Sequence, residues 1–133
     1  MTLADLNGHL DLVTELKKAR EILASMEGRI LGAQQLDGMP HGQGASRNTE
    51  NLSILLEAEI DNVNRLEEIV SRSEKDIRAW IDAIPDSRTR IIFNLRYLCG
   101  MSWQQVAEVI GGRNTENAVK SQCYRYLQSL NIV

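Results

Sequence analysis

Over residues 2–36 the apolar positions Leu3, Leu6, Leu10, Val13, Leu16, Leu23, Met26 and Ile30 are separated by steps of three, four or seven. That spacing marks one face of a helix. Thr2 is placed to cap it, and Asp5 sits in the first turn, beside the positive end of the helix dipole. The pattern breaks at "DGMPHGQGASRNTE", residues 37–50. Its glycines, proline and small polar residues predict a loop, and fourteen residues is long beside the usual two to about eight between helices. The pattern resumes from Asn51 to Ile84, where Leu56, Val63, Val70, Ile77 and Ile84 recur at intervals of seven. Leu52, Ile60, Leu66, Ile69 and Ile81 widen that stripe. A repeat of seven predicts coiled-coil packing. Such a helix would be roughly 50 Å long. Folding the first helix back on it gives an antiparallel helical hairpin, and self-association through the same stripe fits the pattern equally. Glu68 and Arg72, four apart, fall on its wet side.

Pro85 ends the long helix, and the pattern beyond it is shorter. Asp86 can cap "SRTRIIFNLRYLC", whose apolar face is Ile91, Ile92, Leu95 and Leu98, with Phe93 and Tyr97 nearby, and Gly100 stops it. "MSWQQVAEVIGG" follows. Ser102 and Gln105 form a capping box, Trp103, Val106, Ala107 and Ile110 make one face, and Gly111 and Gly112 release the chain into a turn. Asn114 or Thr115 caps a last helix with Val119, Cys123, Tyr126, Leu127 and Leu130 inward. The expected fold is therefore all-α. A helical hairpin arm over 1–84 carries the 37–50 loop, and a three-helix helix-turn-helix domain occupies 85–133.

Charge sharpens this division. The chain has 133 residues and a net charge of −3, but residues 1–85 carry −6 and residues 86–133 carry +3. An acidic arm on a basic head suggests an anionic partner for the head. Cys99 and Cys123 do not form a disulfide framework and point to reduced thiols. Neither they nor His9 and His41 have zinc-ligand spacing. "MTLADLNGHL" lacks the features of a signal peptide, and no apolar run suits a membrane span, so a cytoplasmic protein is expected. Phosphate-cradling loops, paired-carboxylate sites and Ser/His/Asp sets are missing from the sequence. The expectation is a non-enzyme with no cofactor and no metal.

In a helix-turn-helix the last helix enters the DNA major groove. With Val119 and Cys123 inward, Asn117, Lys120, Ser121, Tyr124 and Gln128 face outward, with Arg125 on the flank. Asn, Ser, Lys and Arg bond base edges or phosphates. Asn117, Lys120, Ser121, Tyr124 and Arg125, together with Arg113 and Thr115 in the preceding turn, are the expected contacts to double-stranded DNA.

Leu95, Arg96, Tyr97, Gly100, Ser102, Trp103, Val106, Ala107, Val119, Lys120 and Ser121 resemble region 4 of bacterial sigma factors. The match covers 88–127, and the turn "GGRNTENA" is about two residues longer than the usual one. The layout of long hairpin, "MPHG" loop and sigma-like head is similar to phage and prophage late-gene transcription regulators of the RinA and ArpU type. The resemblance implies a DNA-binding transcriptional regulator, with RNA polymerase as a further partner, and the apolar stripe of the arm is the expected route to a homo-oligomer, a dimer. A DNA-packaging recognition protein of small-terminase type and a helical adaptor that does not bind DNA are the alternatives. Sigma region 2 is absent, which excludes a complete sigma factor.

Overall fold

The computed structural model describes residues 1–35 and 43–130, with side chains described for 1–29 and 50–130. Among them every regular element is helical: α1 (Leu3–Gln35), α2 (Gln43–Asp82), α3 (Ser87–Phe93), α4 (Trp103–Ile110) and α5 (Glu116–Leu130). A wide, π-type turn over Asn94–Leu98 extends α3, its Cys99 N–H reaching back to the Asn94 carbonyl at 3.0 Å. The helical stretch of α2 takes in 43–50, which the glycine content assigns to the loop. Extending an existing helix gains one hydrogen bond per residue fixed, and this stretch holds one glycine and no proline. Residues 37–42 of the expected loop, His41 among them, lie outside the described residues, as does the Ile30 side chain.

The chain forms two compact units, Leu12–Val70 and, around it in sequence, Met1–Asp11 with Ser71–Val133. In the Leu12–Val70 unit, Leu16 and Ala19 of α1 and Val63 and Leu66 of α2 share one buried cluster, with Leu12, Leu23 and Val70 packed at its edge. The α1 face there runs 12–16–19–23. Val13, one position round the helix, is 39 % exposed, contrary to the expected stripe. On α2, Ile60 is likewise exposed. Arg20 Nη2 donates to Glu67 Oε1 at 3.0 Å, but both side chains are wet and the pair contributes little.

The other unit is built on one core of Leu6, Ile77, Ile81, Ile84, Ile92, Phe93, Tyr97, Trp103, Val106, Ala107, Val119, Cys123 and Leu127. This core runs across residue 85, where the sequence pattern places a boundary, because the last turns of α2 and the first of α1 supply part of it. Thr2 and Asp5 cap α1 reciprocally: the Thr2 N–H donates to Asp5 Oδ2 at 2.9 Å, and the Asp5 N–H to Thr2 Oγ1 at 3.2 Å. His9, on the same short segment, is buried with Nδ1 2.8 Å from Ser73 Oγ.

All six aromatic residues of the chain belong to this unit and form an unbroken series of ring contacts. Trp80 meets Phe93 edge-on at 5.0 Å, Phe93 stacks on Tyr97 at 5.8 Å, Tyr97 meets Trp103 at 6.3 Å and Trp103 meets Tyr124 at 6.2 Å. Tyr126 closes a triangle with Trp80 and Phe93 at 6.0 and 5.7 Å. Each such pair adds about 0.5–1.5 kcal/mol beyond its buried area. Aromatics that are sparse over the whole chain are thus dense where they pack.

Two expected core positions differ. Ile91 is 51 % exposed, because the buried face of α3 is centred on Thr89, Ile92 and Phe93 and continues to Tyr97. Leu130, at the end of α5, is 45 % exposed.

Candidate nucleic-acid interface

α4 is short and strongly delimited. The Ser102 N–H donates to Gln105 Oε1 at 3.0 Å, and the Gln105 N–H donates to Ser102 Oγ at 3.2 Å, completing the capping box. At its other end the Gly111 N–H reaches the Ala107 carbonyl at 3.0 Å, and Gly111 has φ 74° and ψ −167°, a conformation open to glycine alone. Between these stops Trp103, Val106 and Ala107 are buried. Ala107 has only a methyl group, so it lets a packed helix approach closely.

α5 begins after Thr115, whose Oγ1 accepts the Ala118 N–H at 3.1 Å. Thr115 is thus the cap, and its hydroxyl is engaged by the backbone. Val119, Cys123 and Leu127 are buried, in steps of four, and pack α5 on the core. Their burial fixes what remains outside. Asn117, Ser121 and Arg125 are exposed and stack one turn apart on a single face. Arg125 Nε donates to the Ser121 carbonyl at 3.4 Å, which lays the guanidinium along this face.

Lys120 and Tyr124 form a second, half-buried pair. The Lys120 ammonium lies 5.8 Å from the centre of the Tyr124 ring, and that ring also meets Trp103. Tyr124 is therefore held by the core and supports Lys120. Gln128 is exposed at the end of the same face, and Arg113 and Thr115 are exposed in the turn before it. Among the expected contact residues, α5 groups Asn117, Lys120, Ser121, Tyr124 and Arg125. Arg113 and Thr115 precede the helix.

Beneath this face lies a polar cluster. Arg96 Nη1 donates to the Met101 carbonyl at 2.9 Å, and its guanidinium carbon lies 4.9 Å from the centre of the Trp103 ring. The side chain so ties the wide turn after α3 to the start of α4. Its Nε is buried and has no hydrogen-bond partner among the described residues. Burial pushes the Cys123 thiol up to about 12, against a hydrogen bond from Tyr97 and the charge of Arg96. Burial also raises the Tyr97 phenol above its ordinary range. Both groups are neutral at physiological pH, and neither is a nucleophile there. Asp86, which caps α3 by accepting the Thr89 N–H at 3.0 Å and the Thr89 hydroxyl at 2.6 Å, is held below the usual carboxylate range by those two bonds.

The sequence pattern did not single out Arg88, Asn114 or Gln122 as partners across helices. Arg88 of α3 bonds Asn114 in the turn, and Gln122 of α5 bonds Thr89 of α3. Hydrogen bonds between residues 26 and 33 positions apart leave no periodic trace.

No family model, curated protein or solved structure matches the chain. No described helix is long and apolar enough to cross a membrane.

Proposed function

We propose that this chain is a DNA-binding transcriptional regulator of phage or prophage type. In this reading α4 and α5 form a sigma region 4-like helix-turn-helix, with α5 in the major groove. α1 and α2 pair as an antiparallel hairpin that carries dimerisation, and RNA polymerase is a further partner. The observation that carries the reading is the outer face of α5. Asn117, Ser121 and Arg125 stand exposed in one column with Lys120 beside them, on a helix whose opposite face is buried. A helix presented this way offers amide, hydroxyl and cationic groups of the kinds that bond base edges and phosphates. The +3 charge of residues 86–133 adds attraction for a polyanion.

The test is site selection from a random duplex pool, followed by titration at two salt concentrations. Lys120→Ala and Arg125→Ala should each weaken binding to every sequence and reduce the salt slope by about one. Asn117→Ala and Ser121→Ala should each cost roughly 1–3 kcal/mol on the selected site and little on random DNA. A wild-type protein with no salt-dependent DNA binding would exclude the reading.

A further inference from the structure

The turn between α4 and α5 contains two consecutive glycines with positive φ, Gly111 at 74° and Gly112 at 68°. Such a link leaves the following helix free to tilt and slide unless something else holds it. Burial of Val119, Cys123 and Leu127 decides which face of α5 points inward. Apolar burial is non-directional, however, and does not fix register finely. Hydrogen bonds do, because they demand both distance and angle.

α3 supplies them at two points on α5 and its approach. At the first, Asn114 Nδ2 donates to the Gly111 carbonyl at 2.8 Å, while Asn114 Oδ1 accepts from Arg88 Nη2. The second comes eight residues later, where Gln122 Nε2 donates to Thr89 Oγ1 at 3.2 Å. That hydroxyl in turn donates to Asp86 Oδ2 at 2.6 Å, so its orientation is set. Thr89 is buried, and Asn114 and Gln122 are half-buried. Two neighbouring residues of α3, Arg88 and Thr89, therefore hold the chain before the first turn of α5 and again at its middle. Neither Asn114 nor Gln122 belongs to the exposed column of Asn117, Ser121 and Arg125.

We propose that Asn114 and Gln122 are positioning residues that set the register of α5, and through it sequence preference, without touching DNA. The inference rests on the reading of α5 as the DNA-reading helix.

The experiment uses full-length Asn114→Ala and Gln122→Met. Affinities are measured for the duplex selected by the wild type and for a random duplex, at two salt concentrations. Amide hydrogen exchange is followed at Asn117–Lys120. Gln122→Met should lower the selected-to-random affinity ratio about three- to tenfold, the worth of one hydrogen bond, and Asn114→Ala, which removes two, by at least as much. Random-duplex affinity and salt slope should be unchanged, and exchange at Asn117–Lys120 should quicken in Asn114→Ala. An unchanged ratio in both variants overturns the proposal. So does a salt slope lower by about one, which would mark a lost phosphate contact. If the wild type selects no duplex, the DNA reading fails on its own. Exchange then decides: a quickened Asn117–Lys120 segment in Asn114→Ala sustains the positioning role, and wild-type exchange overturns it.

Discussion

Burial separates the two cysteines. Cys123 is fully buried with its thiol raised, whereas Cys99 is exposed. A thiol reagent should label one cysteine in the folded protein and two in denaturant, with Cys99→Ser abolishing the native reaction. Rapid native labelling of Cys123 would mean the α5 core opens readily. His9 gives a pH-dependent counterpart. Burial holds its imidazole below the ordinary value near 6.5, against an upward pull from Glu74. The fold prefers the neutral ring. That contribution to stability is complete above the ordinary value and is lost as pH falls from there through the depressed folded one. Urea midpoints at about pH 7.5 and about pH 5.5 should therefore drop more for the wild type than for His9→Gln. Equal drops would show that another group titrates. The sequence hides such residues. His9 lies within a regular apolar stripe, and nothing local announces that Ser73 is its partner. Cys123 was legible because it sits four residues from Val119 and four from Leu127.

The starts of α1, α3 and α4 were the most legible features, since each depends on neighbours in sequence, whereas the start of α2 at Gln43 lies inside the expected loop. Thr2 with Asp5, Asp86 with Thr89, and Ser102 with Gln105 all form the local bonds their residue types allow. Faces were less legible. Val13 and Ile91 fit an apolar stripe by spacing yet are exposed, because a helix with apolar residues on two adjoining faces buries only the one its neighbour covers. The wide turn over Asn94–Leu98 has no sequence signature at all. Gly111 offers the sharpest element-level test. Its φ and ψ suit glycine alone, so Gly111→Ala should cost about 1–3 kcal/mol even though an added Cβ would meet nothing nearer than 4.0 Å. The expected loss is thus conformational and not steric, and thermal unfolding checks it. An unaltered midpoint would mean that the turn adopts another path in solution.

At the scale of the molecule, the division of the chain was the least legible feature. A proline at 85 and a change in charge sign both suggest a self-sufficient head beyond it. Yet Leu6, Ile77, Ile81 and Ile84, each 3 % exposed or less, complete the core that Ile92, Val106 and Val119 begin. Periodicity reports that a residue is buried but not against which distant segment. A fragment of residues 85–133 should consequently melt without a cooperative transition, whereas the full chain melts with one. A sharp transition in the fragment would show that the four residues are dispensable. Which face of α5 is exposed was readable from spacing alone, and the hydrogen bond from Gln122 to Thr89 of α3 was not.

The unit bearing α5 is assembled from two pieces of chain with about sixty residues between them. Joining such pieces carries a loop-closure cost of about 3–4 kcal/mol for a flexible connection. The cost shrinks when the intervening Leu12–Val70 segment is already ordered. High sequence separation of contacts also slows folding. The rate at which the α5 face matures should then depend on residues far from it. Leu66→Ala, in the other unit's core, should delay the appearance of native Trp80 and Trp103 fluorescence during refolding, although neither tryptophan belongs to that core.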